Sequence, residues 1–223
     1  GWAIALASLL ALLIKKKENL KLAITVSVLI YCGLLAGQTI NRNNDWKDNY
    51  TLYSIDVEKV PNSARANYNI GSEITTQVQA GNLPRTELNK SIFYLQQAVK
   101  VYPQYLDAHN NLGNAFKEAG NSEGAINAYQ GAIKQDPTYS KAYFNQAITY
   151  YQIPDYTKSA ERMAQFVNMQ PNNADAWFYL GSAYGYVNQF QRAENALNRC
   201  VQIDPKRADG WNMLGMAQGF QNK

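Results

Sequence analysis

Four prolines recur along the second half of the chain at a constant interval. They are Pro103, Pro137, Pro171 and Pro205. Each is followed by a small residue and then a ring, at Ala108–His109, Ala142–Tyr143, Ala176–Trp177 and Gly210–Trp211. A fixed period of roughly 20 to 50 residues is typical of repeat arrays, in which each unit buries its apolar face only against its neighbours. The spacing therefore predicts that this part of the chain is a stack of repeats.

Composition divides the 223 residues into two unlike parts. The net charge is +4, of which +3 falls in the first forty residues and +1 in the other 183. Two cysteines and one histidine exclude a disulfide scaffold, a four-thiolate zinc site and a multi-histidine metal site. The charge is too small to predict nucleic-acid binding.

Residues 22–40 form an apolar segment without a charged side chain. A helix of this length would be about 28 Å long, close to the thickness of a bilayer's hydrocarbon core. Ser27 and Thr39 can return their hydroxyl hydrogen bonds to the helix backbone, as lipid requires. We therefore expect a transmembrane helix over residues 22–40.

Residues 1–14 are equally apolar but would span only about 21 Å as a helix. We interpret them as part of a membrane helix whose start lies upstream. A signal peptide is the alternative, but its basic residues should precede the apolar run, and here the lysines follow it.

Residues 15–21 contain four lysines and are predicted to form a short loop between the two membrane helices. The positive-inside rule places such a loop in the cytoplasm. Everything after residue 41 would then face the periplasm of a bacterium or the lumen of an ER-type membrane. The predicted location is a bacterial inner membrane or an ER-type membrane.

The repeating unit resembles the tetratricopeptide repeat, a helix–turn–helix motif with large, small and aromatic residues at fixed positions. The copy at 106–139 fits well, with Leu112, Gly113, Phe116, Ala125 and Tyr129 in the expected positions. The resemblance implies an all-α chain in which membrane helices precede an α-solenoid. The copies are expected at about 64–105, 106–139, 140–173 and 174–207, with a partial copy at 208–223.

Two stretches depart from the regular period. The first copy is eight residues longer than the others, and the excess falls in a Gly/Pro cluster at residues 79–85, which predicts a longer loop between its two helices. The third copy carries Gln146 and Ala147 where Leu112 and Gly113 stand in the second. Before the array, residues 41–60 are expected to link it to the membrane, with an amphipathic helix from Trp46 to Val60.

No catalytic motif is recognisable in the sequence, and we predict no catalytic residue, no metal site and no cofactor. His109 is the only histidine, and it occupies the ring position of its repeat, where packing is the expected role. A binding surface is the more informative possibility.

The first helix of each repeat usually lines the concave face of such a solenoid. Asn69, Asn111 and Asn145 occupy the same position in three successive copies, and Tyr179 and Met213 follow in the next two. An asparagine amide both donates and accepts, so a row of them can hold an extended polypeptide by its backbone. This row resembles the asparagine ladder of O-GlcNAc transferases. The alternative is that asparagine is simply common at this position. The further partner-binding candidates are Tyr68, Asn110, Asn114, Phe144, Phe178, Tyr179 and Asn212.

The junction at residues 41–71 resembles that of the transmembrane-and-TPR protein O-mannosyltransferases and their bacterial relatives. This resemblance implies that the repeats recruit a protein acceptor to a membrane-embedded enzyme whose catalytic and lipid-linked-sugar sites lie in other regions. The alternative is a membrane-anchored scaffold for protein assembly without enzymatic activity. Both predict a protein or an extended peptide as the partner of the repeats.

Overall fold

The computed structural model describes residue 7 and residues 17–221, and within them the chain forms eleven α-helices, one short 3-10 helix and no strand. The prediction of an all-α fold is confirmed. Apart from residue 7, the predicted partial membrane helix at 1–14 lies outside the described residues, as do the first two lysines of the predicted loop. The chain divides into two compact units between Ile55 and Asp56.

The first described helix, α1, runs over Lys17–Asp45. It begins earlier than predicted, because residues 17–21 are helical where a loop was expected; lysine, glutamate and leucine favour helix, and no glycine or proline interrupts them. The stretch Leu22–Thr39 has a mean hydropathy of 1.7, and none of it is buried within the described structure. The Ser27 hydroxyl donates to the Ala23 carbonyl at 2.9 Å, and Thr39 donates to Leu35 at 2.8 Å, as predicted. By length and composition, α1 is able to cross a membrane.

The linker helix, α2, covers Asn49–Lys59 and is shorter than the predicted helix. A carboxylate oxygen of Asp48 accepts a hydrogen bond from the backbone N–H of Thr51 at 2.7 Å. Such a side-chain acceptor satisfies a free N–H group at a helix start, so the helix begins after Trp46 and Lys47.

The remaining helices form four pairs and a final single helix. The pairs are α3 (Ala64–Gln79) with α4 (Leu88–Val101), α5 (Leu106–Glu118) with α6 (Ser122–Gln135), α7 (Ser140–Gln152) with α8 (Tyr156–Met169), and α9 (Ala174–Tyr186) with α10 (Phe190–Ile203); α11 is Ala208–Gln221. The 3-10 helix Arg85–Glu87 lies between α3 and α4.

Small residues let the two helices of a pair approach closely. A Cβ atom added to Gly113 would lie 2.3 Å from the ring of Tyr129, and one added to Gly181 would lie 2.5 Å from Leu197. In both pairs of helices, the contacted residue lies the same number of residues after its glycine. In the first pair, a Cβ on Gly71 would meet Leu95 at 2.7 Å, although Leu95 follows its glycine at a longer separation. The extra residues of the first copy therefore leave the contact between the helices unchanged.

The ring position has a hydrogen-bonding role that the sequence analysis did not predict. The indole N–H groups of Trp177 and Trp211 donate to the carbonyls of Pro171 and Pro205, six residues earlier, at 2.8 and 2.9 Å. His109 Nε2 makes the same contact with Pro103 at 2.9 Å. Since a carbonyl only accepts, this nitrogen carries the proton. The equivalent contact in the first repeat is Asn67 to Pro61, at 2.7 Å. The side chain at this position thus ties the first, second and fourth repeats and α11 to the turn that precedes each of them.

The first helices of successive repeats also contact one another, from α3 through α5, α7 and α9 to α11. In a curved stack, the helices that approach their counterparts most closely line the inner side. These five helices therefore form the concave face of the array.

Candidate functional site

The concave face changes its chemistry along the array. The position that carries Asn69, Asn111 and Asn145 in the first three repeats carries Tyr179 in the fourth and Met213 in α11. We call the first part the amide half; it consists of Asn69, Ser72, Asn110, Asn111 and Asn145. We call the second part the ring half; it consists of Tyr151, Tyr156, Tyr179, Tyr186, Phe190, Met213, Met216 and Phe220.

Hydrogen bonds in the amide half join one repeat to the next. Asn111 donates to the hydroxyl of Ser72 at 2.9 Å and lies 3.4 Å from the hydroxyl of Tyr68. Asn145 donates to the side-chain carbonyl of Asn110 at 2.8 Å. A further amide contact joins Asn110 to Asn111 at 3.4 Å. These bonds fix the amide orientations and leave further donor and acceptor sites on the half-buried side chains.

Asn110 and Asn69 differ from the other members of the row. Asn110 is only 6% exposed, so it connects neighbouring amides more than it presents a surface. Asn69 is half-buried, and its amide has no hydrogen bond to another residue in the described part of the chain. Asn69 therefore retains its full hydrogen-bonding capacity.

The other predicted residues are distributed over both halves. Asn114 accepts a hydrogen bond from the buried Tyr129 hydroxyl at 2.8 Å, and Asn212 is exposed on α11. The ring of Tyr68 lies 4.7 Å from that of Tyr105. Phe144 packs 5.0 Å from the ring of Phe166. Thus Asn114 and Phe144 serve the core in part, and Asn212 is exposed to solvent.

Phe178 lies beneath a charged edge of the same face. The guanidinium of Arg207 stacks on its ring at 4.3 Å and also pairs with Asp175 and Asp209. Such a cation over an aromatic face is attractive. Phe178 is thereby covered by protein and contributes less free surface than its sequence position suggested.

A second charged contact lies farther along this edge. Asp107 accepts a hydrogen bond from the Tyr139 hydroxyl at 2.6 Å, and the Lys141 ammonium lies 3.8 Å from the Asp107 carboxylate. Burial, followed by the hydrogen bond to Asp107, raises the pKa of Tyr139 above its usual range. The phenol therefore keeps its proton, and its hydrogen bond to Asp107, to a higher pH than a solvent-exposed tyrosine would.

Four tyrosines pack together where the third and fourth repeats meet. Tyr151 lies 5.3 Å from the rings of both Tyr156 and Tyr179 and 6.0 Å from Tyr186. Tyr156 and Tyr186 stack at 4.3 Å with an interplanar angle of 18°. Burial raises the pKa of Tyr151, and the neighbouring Tyr186 raises it further. The four tyrosine rings thus form one aromatic cluster at this boundary between repeats.

The sequence analysis found Tyr179 but missed Tyr151, Tyr156 and Tyr186. Their signal is present in the sequence, because one repeat later the same positions hold Gly185, Phe190 and Phe220. Comparing the repeats at every position, and not only at the motif positions, would have identified them. No group of three or more possible metal ligands occurs among residues 17–221.

Three segments match the tetratricopeptide repeat family. They are residues 113–153, described as a TPR repeat, and residues 144–184 and 174–207, each described as a tetratricopeptide repeat. Together they extend from the first helix of the second repeat to the end of the fourth.

Two curated relatives are similar over part of the chain. Mouse protein O-mannosyl-transferase TMTC3 is 28% identical over 92 residues, and human TMTC1 is 25% identical over 93 residues. These regions cover 41% and 42% of this chain but only 9% and 10% of the relatives. The chain therefore corresponds to a small part of those proteins.

Solved structures resemble the repeat array. MamA superimposes with a TM-score of 0.63 at 21% identity, over 77% of this chain and 96% of MamA. YrrB, described as a TPR protein with an unusual peptide-binding site, gives a TM-score of 0.60 at 16% identity, over 78% of this chain and 86% of YrrB. The first TPR of Spaghetti (RPAP3), bound to an HSP90 peptide, gives 0.51 at 18% identity, over 54% and 95%. At these identities the likeness establishes the fold.

Proposed function

We propose that this chain, which is a tetratricopeptide repeat protein, binds an extended segment of polypeptide on the concave face of its repeats. The observation that carries the proposal is the amide half. Asn69 and Asn145 retain donors and acceptors, and Asn111, whose two N–H groups face Ser72 and Tyr68, retains acceptor capacity; a peptide backbone needs both kinds of group. YrrB and the RPAP3 repeat, which share the fold, are described as peptide-binding proteins.

Preorganisation of the amides supports this role. Because Ser72 and Asn110 already orient Asn111 and Asn145, a bound peptide would not have to immobilise these side chains. Binding then avoids part of the conformational entropy that ordering a free amide costs. Backbone recognition of this kind carries little sequence preference.

The test uses dodecapeptides enriched from a random display library on the immobilised chain. Replacing both Asn111 and Asn145 by alanine is expected to lower the affinity for the enriched peptides about tenfold, since each lost hydrogen bond is worth about 0.7 kcal/mol. The matched control is Asn127→Ala with Asn195→Ala, two exposed asparagines on second helices. Equal affinity of wild type and the concave-face variant, with unchanged helix content, would refute the role of the amides.

We further propose that α1 anchors the repeats to a membrane with residues 15–21 in the cytoplasm and the repeats outside it, in a periplasm or lumen. The support is the exposed apolar stretch Leu22–Thr39 together with the lysines that precede it. In a background without Cys32 and Cys200, Gln130→Cys should react with an impermeant maleimide applied outside. Glu18→Cys should react only after permeabilisation. The reverse pattern would invert the topology.

For the whole protein, we propose acceptor recruitment to a lipid-linked-sugar-dependent protein O-glycosyltransferase. The support is the similarity to the TMTC proteins, and tethering an acceptor near the membrane raises its effective concentration. In that case, deleting residues 106–221 from the full-length protein should reduce sugar transfer to the acceptor. Unchanged transfer, with loss of a stable protein assembly, would favour the non-enzymatic scaffold.

A further inference from the structure

An open cavity of about 280 Å³ lies in the ring half, between α9, α10 and α11. Its walls are mainly apolar. They include Gly185, Tyr186, Phe190, Met213, Met216 and Phe220. Tyr186 and Phe220 are about half exposed although they are large and apolar. Pockets for whole small-molecule ligands start at about 300 Å³, so this one suits a single large side chain.

The preceding repeat contains the same space in filled form. Shifting the wall residues Phe190, Met213 and Phe220 back by one repeat gives Tyr156, Tyr179 and Tyr186. These three tyrosines are the ring neighbours of Tyr151 described above. Even the stacked pair is repeated, since Phe190 and Phe220 lie 5.1 Å apart with an interplanar angle of 18°.

The residue that fills the space in the third repeat is replaced by glycine in the fourth. Tyr151 and Gly185 occupy the same position of successive repeats. A Cβ atom added to Gly185 would find no atom within 4 Å. In the second repeat the same position holds Lys117, which is half-buried and whose pKa is lowered by burial. The cavity is therefore the vacant counterpart of the site that holds the Tyr151 ring.

We infer that this cavity binds a phenylalanine side chain of the polypeptide held on the concave face. This inference rests on the proposed function and adds a side-chain preference to it. Aromatic walls and two methionine thioethers contact a ring favourably from several directions. The fold itself supports the choice of an aromatic guest, because Tyr151 occupies the equivalent surroundings.

The preference for phenylalanine over tyrosine comes from the same comparison. Two side chains beside Tyr151 carry hydroxyl groups, Ser182 and Tyr186, and the Tyr186 ring lies 6.0 Å from that of Tyr151. One repeat later these two positions hold Met216 and Phe220, which offer no hydroxyl. A tyrosine guest placed like Tyr151 would bring its hydroxyl towards Met216 and Phe220, and burying a hydroxyl without a partner is costly.

The cavity can be tested with N-acetyl-phenylalaninamide as the probe and the full chain in lipid nanodiscs. The chain has four methionines, and ¹³C-methyl NMR reports on each of them. The probe should shift the Met213 and Met216 methyl signals saturably. Met163 is buried in the core, and it and Met169 lie outside the cavity walls, so both should stay unchanged. N-acetyl-tyrosinamide and N-acetyl-leucinamide should need at least threefold higher concentrations to produce half of the maximal shift.

Two substitutions of Gly185 complete the test. Gly185→Tyr should abolish the response by placing the protein's own ring in the cavity, and Gly185→Ala should retain it. Should Gly185→Tyr fail to fold by circular dichroism, Met216→Trp provides a second way to fill the cavity, from α11. Absent shifts in wild type, or shifts that persist in the filled variant, would overturn the inference. Because the probe does not need the amide half, failure here leaves peptide binding by the repeats to be judged separately.

Discussion

The amide half and the ring half belong to one array of repeats, yet they hold their surfaces in different ways. The amide half lies on first helices alone, whereas the ring half also includes Tyr156 and Phe190 at the starts of the second helices α8 and α10. In the amide half, Asn111 and Asn145 form hydrogen bonds across the repeat boundaries. In the ring half, Tyr151 and its aromatic neighbours fill one boundary, and Gly185 leaves the next one open. One helical scaffold therefore supports two kinds of recognition surface.

The difference matters for a ligand that lies along both halves. The amides hydrogen-bond to the backbone N–H and C=O groups that every peptide has, whereas the cavity binds one side chain. Under the two proposals, the amide half supplies affinity with little selectivity, and the ring half sets the register of the bound chain.

The largest expected effect comes from comparing a glycine in a tightly packed contact with a glycine beside open space. Gly113→Ala should lower the free energy of unfolding by about 2 kcal/mol, because the new methyl group overlaps the buried Tyr129 ring. Gly185→Ala should instead raise it by about 1 kcal/mol, since the methyl meets only open space and alanine favours helix. Urea unfolding followed by circular dichroism measures both changes. Equal effects of the two substitutions would contradict the assigned packing.

The next effect tests the bonds between repeats in the amide half. Asn145→Ala removes the donor to the side-chain carbonyl of the nearly buried Asn110, and leaving that group unpaired should cost about 1.5 kcal/mol. Asn212→Ala, on the exposed surface of α11, serves as the control and should change stability by less than about 0.5 kcal/mol. The same unfolding experiment reports both. A neutral Asn145→Ala would mean that the amides do not connect the repeats energetically.

A smaller effect distinguishes an amide on the face from one in the core. Gln146 is 1% exposed, donates to the Ile126 carbonyl at 3.1 Å and leaves its side-chain oxygen without a partner. The equivalent residues in the flanking repeats are Leu112 and Leu180. Gln146→Leu should therefore raise the free energy of unfolding by about 1 kcal/mol without changing peptide affinity. Destabilisation would indicate that the buried amide is required.

The smallest expected effect is on the stability that a charged cap adds at the start of a helix, and it depends on pH. Asp155 caps α8 and pairs with Lys158 at 2.8 Å, whereas Asn121 caps α6 without a charge. The hydrogen bond from the Lys158 side chain lowers the pKa of Asp155. Its contribution is thus present above its ordinary pKa and is lost as the pH falls through the lowered value.

Asp155→Asn keeps the capping oxygen and removes the titration. Between pH 7 and pH 3, wild type should lose about 0.5 kcal/mol more stability than this variant, a small value because the pair is exposed to solvent. Thermal melting at the two pH values measures the difference. An identical loss in both proteins would show that Asp155 contributes no charge-dependent stability.

The fold followed from the sequence to a large extent because the constant period fixes both the helices and their contacts. Gly113 and Tyr129, for example, meet as the repeat pattern implies. The start of α1 was missed, since charge composition suggested a loop where local propensity favours helix. The role of His109 and the tryptophans as donors to proline carbonyls was also missed, because the motif describes ring size and not hydrogen bonding.

The site was less predictable than the fold. The sequence identified the asparagine row, but not that Asn110 and Ser72 bind its amides. Likewise, Phe178 was a candidate on the open surface, and the cation of Arg207 that covers it comes from the turn before the next first helix, α11. Contacts between repeats depend on side-chain directions, which a motif search does not contain.

The central claim is that the concave face binds polypeptide, and photo-crosslinking tests it most directly. An enriched dodecapeptide that carries a diazirine side chain would be bound, irradiated and digested, and the modified residues would be located by mass spectrometry. The account predicts crosslinks on the first helices α3, α5, α7, α9 and α11. Crosslinks concentrated on the second helices α4, α6, α8 and α10 would contradict it.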